Sequence, residues 1–453
     1  MKADLIVIGG GAAGLGAAKA ARRRNATVTL VHQGPPGGDC TFSGCVPSKT
    51  LLSCSRRNVP FAEAIEYVHR VVAETAATED AAALEAEGIN VVDGRAAFID
   101  STSVRVNGEI LRANRIIIAT GALPLIPQIP GIDGNAVLTS ENVFDQRQLP
   151  PRLAILGGGP IGVEMAEAFA RLGSQVTIVE ASLRVLPREE PESSATINQY
   201  LQALGVALRL STQCVAVEAL AGATRLVLDS GPPIDADQLF VAVGRQPATS
   251  DLKLDPVGVK VDKRGFIVVD NALRTSTPNI FAVGDVSQNL QFTHVADETA
   301  RIATHNALSR FGTRKFHPEW VPMVTYTGLE VARVGALESD APKGSRVAYL
   351  PMSEFDRARM SGDQRGFVKI IVSPRQFTRQ FAGGEIFGAS IVAPRAGEMI
   401  HEIVLAMRSR MWPARLATTT CAYPSWSLAV QQTAAQFFGE YGGRTARPAE
   451  TME

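Results

Sequence analysis

At 453 residues the chain is too long for one core and implies three domains. Its 45 Lys and Arg balance 45 Asp and Glu, so no overall field draws nucleic acid or an anionic membrane, and neither is an expected partner. No apolar run nears the ~20 residues that span a bilayer, and five cysteines in so long a chain do not make a secreted disulfide scaffold, so the cytoplasm is the expected compartment.

The N-terminus enters the buried run Leu5 to Ile8 at once, leaving no secretory leader to expect. Gly9-Gly10-Gly11-Ala12-Ala13-Gly14 follows, then an Ala-rich helix and the strand Val28 to Val31. Gly9, Gly11 and Gly14 make a Gly-x-Gly-x-x-Gly turn between strand and helix. This is a dinucleotide site, in which bare backbone approaches a pyrophosphate at a helix N-terminus. An acid usually closes the second strand and takes the adenosine ribose; His32 stands there instead. A neutral imidazole still accepts a hydrogen bond from a hydroxyl, so His32 is the expected ribose contact.

Residues 37 to 52 set Cys40 and Cys45 among Gly37, Gly38, Gly44 and Pro47, with Lys49 close behind. On an undistorted helix that spacing rises about 7.5 Å, whereas a disulfide wants its Cα atoms within about 7 Å. A loop or distorted turn is therefore required, and Gly44 and Pro47 supply the means. At a helix start, the dipole and Lys49 would stabilise a thiolate, which describes a redox-active dithiol rather than a staple.

Gly-Gly-x-Cys-x4-Cys-Val-Pro-Ser-Lys resembles the active-site stretch of the flavin-dependent pyridine nucleotide–disulfide oxidoreductases. That family includes dihydrolipoamide dehydrogenase, glutathione reductase and mercuric reductase, and Asp39 with Thr41-Phe42 leans toward the mercuric-reductase-like branch. The resemblance implies an α/β fold: two Rossmann-like dinucleotide-binding domains, for FAD and NAD(P), plus a C-terminal α+β interface domain. Gly9, Gly11, Gly14, His32 and Gly38 then belong to the FAD site.

A helical stretch from Pro60 to Glu87 comes next, followed by short strands around 89–111. Arg115 to Ala122 is a buried strand ending in a tight turn. In the family this segment passes close to the first nucleotide domain, which adds Thr120 and Gly121 to the cofactor site. Pro124, Pro127 and Pro130 with Gly131 and Gly134 mark a connection between domains. The strand–turn–helix unit then repeats with Gly157, Gly159 and Gly162, closing at Glu180. Gly9 to His32 and Gly157 to Glu180 span equal distances, the mark of a second nucleotide domain. Glu180 favours the free ribose hydroxyls of NAD(H), since a 2′-phosphate would be repelled; Arg184 leaves NADP(H) open.

Gly244-Arg245-x-Pro is a familiar marker in these enzymes, and Gly244 is assigned to cofactor binding. Gly284-Asp285 resembles the family's second flavin segment, where the aspartate bonds the ribityl chain. The expected domains are therefore 1–148 with 271–316 for FAD, 149–270 for NAD(P), and 317–453 for the interface. Thr325-Tyr326-Thr327-x-x-Glu330-Val331-Ala332-x-Val334-Gly335 resembles the start of the interface domain, which implies a homodimer.

By the same resemblance, electrons pass from NAD(P)H through FAD to the Cys40–Cys45 disulfide. Cys45 then faces the flavin, Cys40 attacks the substrate, and Lys49 lies near the flavin paired with Glu164. One departure is decisive. Dihydrolipoamide dehydrogenase carries a His-x-His-Pro-Thr-x-Ser-Glu pattern whose second histidine and glutamate are the acid–base dyad; here Tyr423 and Leu428 stand at those places. A general acid–base contributes about 10²- to 10⁴-fold, and a phenol with an ordinary pKa of about 10 and no carboxylate beside it is a poor substitute. The expected acceptor is therefore not lipoamide or glutathione but a metal ion, a quinone-like electrophile or another small thiol or disulfide. The alternatives are a mercuric-reductase-like metal reductase and a slow FAD-binding redox sensor. Cys421 is a possible auxiliary thiol, no resident metal site is expected, and Arg444 to Glu453 reads as a frayed tail.

Overall fold

In the computed structural model, which describes residues 2–132, 137–287, 290–309, 311–374 and 384–450, the chain forms two compact units. The first comprises Met1–Gln128, Val137–Leu149 and Phe240–His317; the second comprises Ile129–Ala136, Pro150–Leu239 and Pro318–Glu453. The units divide the chain differently from the three expected domains: residues 240–270 pack in the first unit, and the nucleotide-type segment 150–239 packs with the C-terminal part.

In the first unit, Ala3–Ile8 lies between Val28–His32 and Glu109–Ile118, all parallel, and Asn90–Asp93 extends the sheet past Val28–His32. The long strand Glu109–Ile118 serves two sheets. Its last residues pair in parallel with Ile280–Ala282, and its first residues pair antiparallel with Ser103–Val106. Strands covered on both faces have to be apolar throughout. Accordingly Ile6, Ile8, Val31, Ile116 and Ile118 share one core with Leu252, Leu254, Val257 and Val259. That shared core is why 250–259 belongs to this unit. The helix Ala12–Arg22 offers a face of small residues to Thr293–Leu308, where the Thr304 hydroxyl donates to the Ala17 carbonyl at 3.3 Å. The stretch from Pro60 to Glu87 is two helices, not one. Phe61–Ala76 ends in a turn, and Asp80 caps Ala81–Ala86 by accepting the Ala83 amide at 2.8 Å.

The second unit begins with the parallel strands Arg152–Leu156, Gln175–Val179 and Ala207–Arg209 and the helix Pro160–Leu172. Its C-terminal sheet is antiparallel, in the order Met323–Thr325, Glu330–Gly335, Ile386–Ala393, Phe367–Val372, Arg346–Pro351 and Arg447–Pro448. The helix Ala396–Arg408 packs Met399, Ile400 and Ile403 into this sheet's core. The described part of the tail is not frayed. Arg447 Nη2 donates to Glu338 at 3.0 Å and Arg444 Nε to Glu354 at 2.7 Å; residues 451–453 lie outside the described set.

Candidate redox site

The two cysteines sit where a helix is interrupted. Gly38–Phe42 forms a short helix, Ser43 and Gly44 break it, and Cys45–Arg56 begins at the second cysteine itself. Gly44 has to be glycine: a Cβ there would meet the Asp39 carbonyl at 2.7 Å. Neither cysteine is in a disulfide, and Thr293, at the first turn of Thr293–Leu308, reaches both. Its hydroxyl donates to Cys40 Sγ at 3.2 Å and lies 3.6 Å from Cys45 Sγ. A hydrogen bond to Cys45, then burial, push the Cys40 thiol well above its ordinary pKa, and Thr293 opposes them. Cys45 heads its helix at the positive dipole end, with half-buried Lys49 one turn on.

The glycines gather around this pair. Gly11 caps Ala12–Arg22, and Gly14 closes the turn so tightly that a Cβ would meet the Gly9 carbonyl oxygen at 1.8 Å. Gly38, at a φ of +61°, lies against Gly11; a Cβ there would stand 2.6 Å from Gly11 Cα. The turn at Thr120 and Gly121 abuts Gly9, whose own Cβ would strike the Ala119 carbonyl oxygen at 2.2 Å. Gly284 packs on Ala13, which puts Asp285 at the same end of the first helix. His32 closes Val28–His32, its Cβ beside Gly10, with Nδ1 2.5 Å from the Gly34 carbonyl oxygen. A carbonyl can only accept, so Nδ1 carries a proton and Nε2 of the neutral ring is the acceptor.

These residues fit a flavin dinucleotide. Backbone approaches backbone at the helix N-terminus, and the Thr120 hydroxyl is buried with no hydrogen-bond partner among the described residues. Asp285 is pushed up in pKa by burial, against the pull of Arg245, whose Nε lies 3.8 Å from its carboxylate. Arg245 also bonds Asp39 and the Ala122 carbonyl. Gly244, beside it, accepts the Leu125 amide at 3.0 Å. Thr293, Asp39 and Arg245 were not singled out as site residues from the sequence. Thr293 carries no motif, and Asp39 and Arg245 are more than two hundred positions apart.

The second unit repeats the cradle. Gly159 caps Pro160–Leu172, and a Cβ on Gly162 would meet the Gly157 carbonyl oxygen at 2.0 Å. Glu180 occupies the place that His32 has in the first copy, accepting the Gly158 amide at 2.6 Å and the Ser182 amide at 2.7 Å. Arg184 donates to the Pro187 and Glu189 carbonyls of its own loop. Glu164 is buried and accepts the Tyr326 amide at 2.8 Å. Tyr423 is 65% exposed, and its hydroxyl donates to Asp356 at 3.4 Å, so the phenol does have a carboxylate neighbour, though not from position 428. Burial and the nearby Glu402 push the Cys421 thiol up, so it is not poised as a thiolate. Cys54 is buried in the core, whereas Cys214 is half-buried, with its thiol donating to the Ala216 carbonyl.

Residues 3–300 match the family described as pyridine nucleotide-disulphide oxidoreductase, and residues 321–434 match its dimerisation domain. The chain is 32% identical to a mercuric reductase of Staphylococcus aureus over 428 residues, covering 89% of this chain and 77% of that protein. Among solved structures, the HOCl-induced flavoprotein disulfide reductase RclA of Escherichia coli superposes with a TM-score of 0.87 at 32% identity, covering 95% of this chain and 99% of that one. A Cu(II) complex of the same RclA aligns over 96% of this chain and 99% of that one, again with a TM-score of 0.87 and 32% identity.

Proposed function

Because the chain belongs to the pyridine nucleotide-disulphide oxidoreductases, an FAD-dependent family of enzymes using NAD(P)H, we propose that its Cys40–Cys45 dithiol delivers electrons to an acceptor other than lipoamide or glutathione disulfide. The observation that carries the proposal is the pair of thiols sharing Thr293 at the edge of the dinucleotide cradle. Bound FAD supplies the two-electron relay between the nicotinamide and the Cys40–Cys45 disulfide. Opening that disulfide leaves two thiols that hold two electrons and two protons; closing it again hands both electrons to the acceptor.

The chain's own groups divide the work. Cys45, at the helix start, carries the first negative charge, and Cys40, whose sulfur accepts from the Thr293 hydroxyl, meets the acceptor. Thr293 holds the two sulfurs in register. Gly9, Gly11, Gly14, Gly38, Thr120, Gly121, Gly284 and Asp285 hold FAD, and His32 Nε2 accepts from its adenosine ribose. Gly157, Gly159, Gly162 and Glu180 take the nicotinamide nucleotide, with Glu180 favouring NADH. Tyr423 fixes position by bonding Asp356 and does not shuttle protons.

A soft metal ion is the favoured acceptor. Thiolates bind such ions without needing an acid–base residue, and relatives of this chain include a mercuric reductase and a reductase solved with Cu(II). The dimerisation domain supports a homodimer. A dithiol refilled from NAD(P)H suits a reducing compartment, and we place it in the cytoplasm.

The test is NADH and NADPH consumption by the FAD-loaded protein with Hg(II), Cu(II), a quinone, lipoamide and glutathione disulfide, alongside Cys40→Ser. Metal-dependent turnover that Cys40→Ser abolishes is expected. Lipoamide turnover at the rate of a lipoamide dehydrogenase would overturn the reading. A flavin that neither nicotinamide bleaches would favour the redox sensor instead.

A further inference from the structure

Asp39 is in an awkward place for a carboxylate. It precedes the reactive Cys40 and follows Gly38, the residue that lies against Gly11 at the N-terminus of Ala12–Arg22. That N-terminus is where a diphosphate is to be held. A fixed negative charge there opposes both the two negative charges of a diphosphate and a neighbouring thiolate. Asp285, at the same end of the helix, adds a second carboxylate.

Arg245 meets both. Its Nη2 bonds Asp39 and the Ala122 carbonyl, and its Nε lies 3.8 Å from Asp285 Oδ2. Only 14% of its side chain is exposed, so water screens this charge poorly. Its position is set by backbone: Arg245–Pro247 pairs antiparallel with Ala122–Pro124, with Arg245 opposite Pro124. The guanidinium is therefore built into the sheet edge that borders the Thr120 turn.

We propose that Arg245 is the counter-charge that lets Asp39 share the Gly11–Gly38 cradle with the diphosphate of FAD. The ion pair cancels the carboxylate's repulsion at its source, so the reactive-thiol segment and the cofactor tolerate each other. Arg245 acts here through Asp39 and is a positioning residue. The proposal rests on the flavoprotein reading above.

The test is FAD affinity, read by the fluorescence of released and rebound flavin, in wild type, Arg245→Met, Arg245→Lys, Asp39→Asn and the Arg245→Met/Asp39→Asn double variant. Arg245→Met is expected to weaken binding on the order of tenfold or more, in the range of coupled neighbouring charges. Arg245→Lys keeps the charge and is expected to stay within about threefold of wild type, as is the double variant. Asp39→Asn alone is expected to bind at least as tightly as wild type. An Arg245→Met variant that binds normally overturns the proposal. So does a double variant as weak as Arg245→Met, which would mean that Arg245 serves the fold or the cofactor directly. A wild-type protein that takes up no FAD would instead sink the flavoprotein reading, so the two failures are distinguishable.

Discussion

The Thr293 hydroxyl donates to Cys40 Sγ across 3.2 Å, joining the start of one helix to the dithiol segment of another. Of the groups acting on this thiol, Cys45 and burial hold the proton on and Thr293 favours its loss. Thr293→Val removes that donor at nearly constant volume. A hydrogen bond to a charged group is worth about 1.5–3 kcal/mol, and one pH unit is about 1.4 kcal/mol. At one fixed, mildly alkaline pH, Cys40 should therefore be alkylated on the order of tenfold or more slowly in Thr293→Val than in wild type. Site-resolved alkylation followed by mass spectrometry measures it, with buried Cys54 as an inert reference.

Much of this site was legible in the sequence because its parts are local. The Gly-x-Gly-x-x-Gly turns, the cysteine pair with Gly44 between them, and Gly284-Asp285 each sit within a few residues, and backbone sterics fix what they can form. The distorted turn between the cysteines was expected from Gly44 and Pro47; that it breaks one helix from the next was not. Long-range pairings were not legible. Nothing near Asp39 indicates Arg245, and Thr293 becomes notable only once its helix packs on Ala12–Arg22 through small residues. The carboxylate beside Tyr423 was missed for the same reason: Asp356 lies 67 positions away. The return of the chain to the first unit at Phe240 was hidden too, because Leu252 to Val259 reads as a loop until its side chains enter the core of the first sheet.

Glu180 holds its own turn, accepting amides from Gly158 and Ser182, so its carboxylate is fixed at the strand end where a ribose would lie. A 2′-phosphate would meet that charge, while Arg184 is engaged with carbonyls of its own loop. NADH should be preferred to NADPH in kcat/KM. Glu180→Ala should cut the preference on the order of tenfold, about 1.4 kcal/mol of discrimination. Steady-state kinetics with both nucleotides decides it, and an unchanged ratio in the variant would remove Glu180 from nucleotide choice.

Tyr423 and Leu428 stand where an acid–base dyad would serve a disulfide substrate. Asp356 accepts from the phenol, and position 428 offers no carboxylate. Lipoamide reduction by the wild type should be slow. Tyr423→His with Leu428→Glu should raise it, within the roughly 10²- to 10⁴-fold that such catalysis supplies. The same pair of changes should leave metal-dependent NADH oxidation within about threefold, since the thiols carry that reaction. Loss of both activities would show that Tyr423 has another role.

Lys369 is 1% exposed and places its ammonium 2.5 Å from Glu192, 2.9 Å from Glu338 and 3.4 Å from Glu190, in the second unit. Arg447 reaches the same Glu338 from the tail, and the Glu450 amide donates to it. Removing the lysine strands carboxylates in a dry site, and breaking a buried ion pair from one side costs about 3–5 kcal/mol. Lys369→Met should therefore lower the melting temperature sharply, whereas a surface change such as Arg395→Gln should not. The cluster also fixes an acid limit. Burial pushes Glu338 up, but bonds from Arg447, the Glu450 amide and Lys369 outweigh it and take the carboxyl from 4.5 to about 2. A depressed folded-state pKa contributes stability that is complete above 4.5 and lost as the pH falls through about 2. Burial raises Glu190, which works in the opposite sense and favours the folded state when protonated. Arg447→Met removes the strongest bond holding Glu338 down, so the loss of stability should begin at higher pH than in wild type. Thermal melts between pH 2 and 6 test this, and superimposable curves for the two proteins would show that the tail does not hold Glu338 in its ionised form.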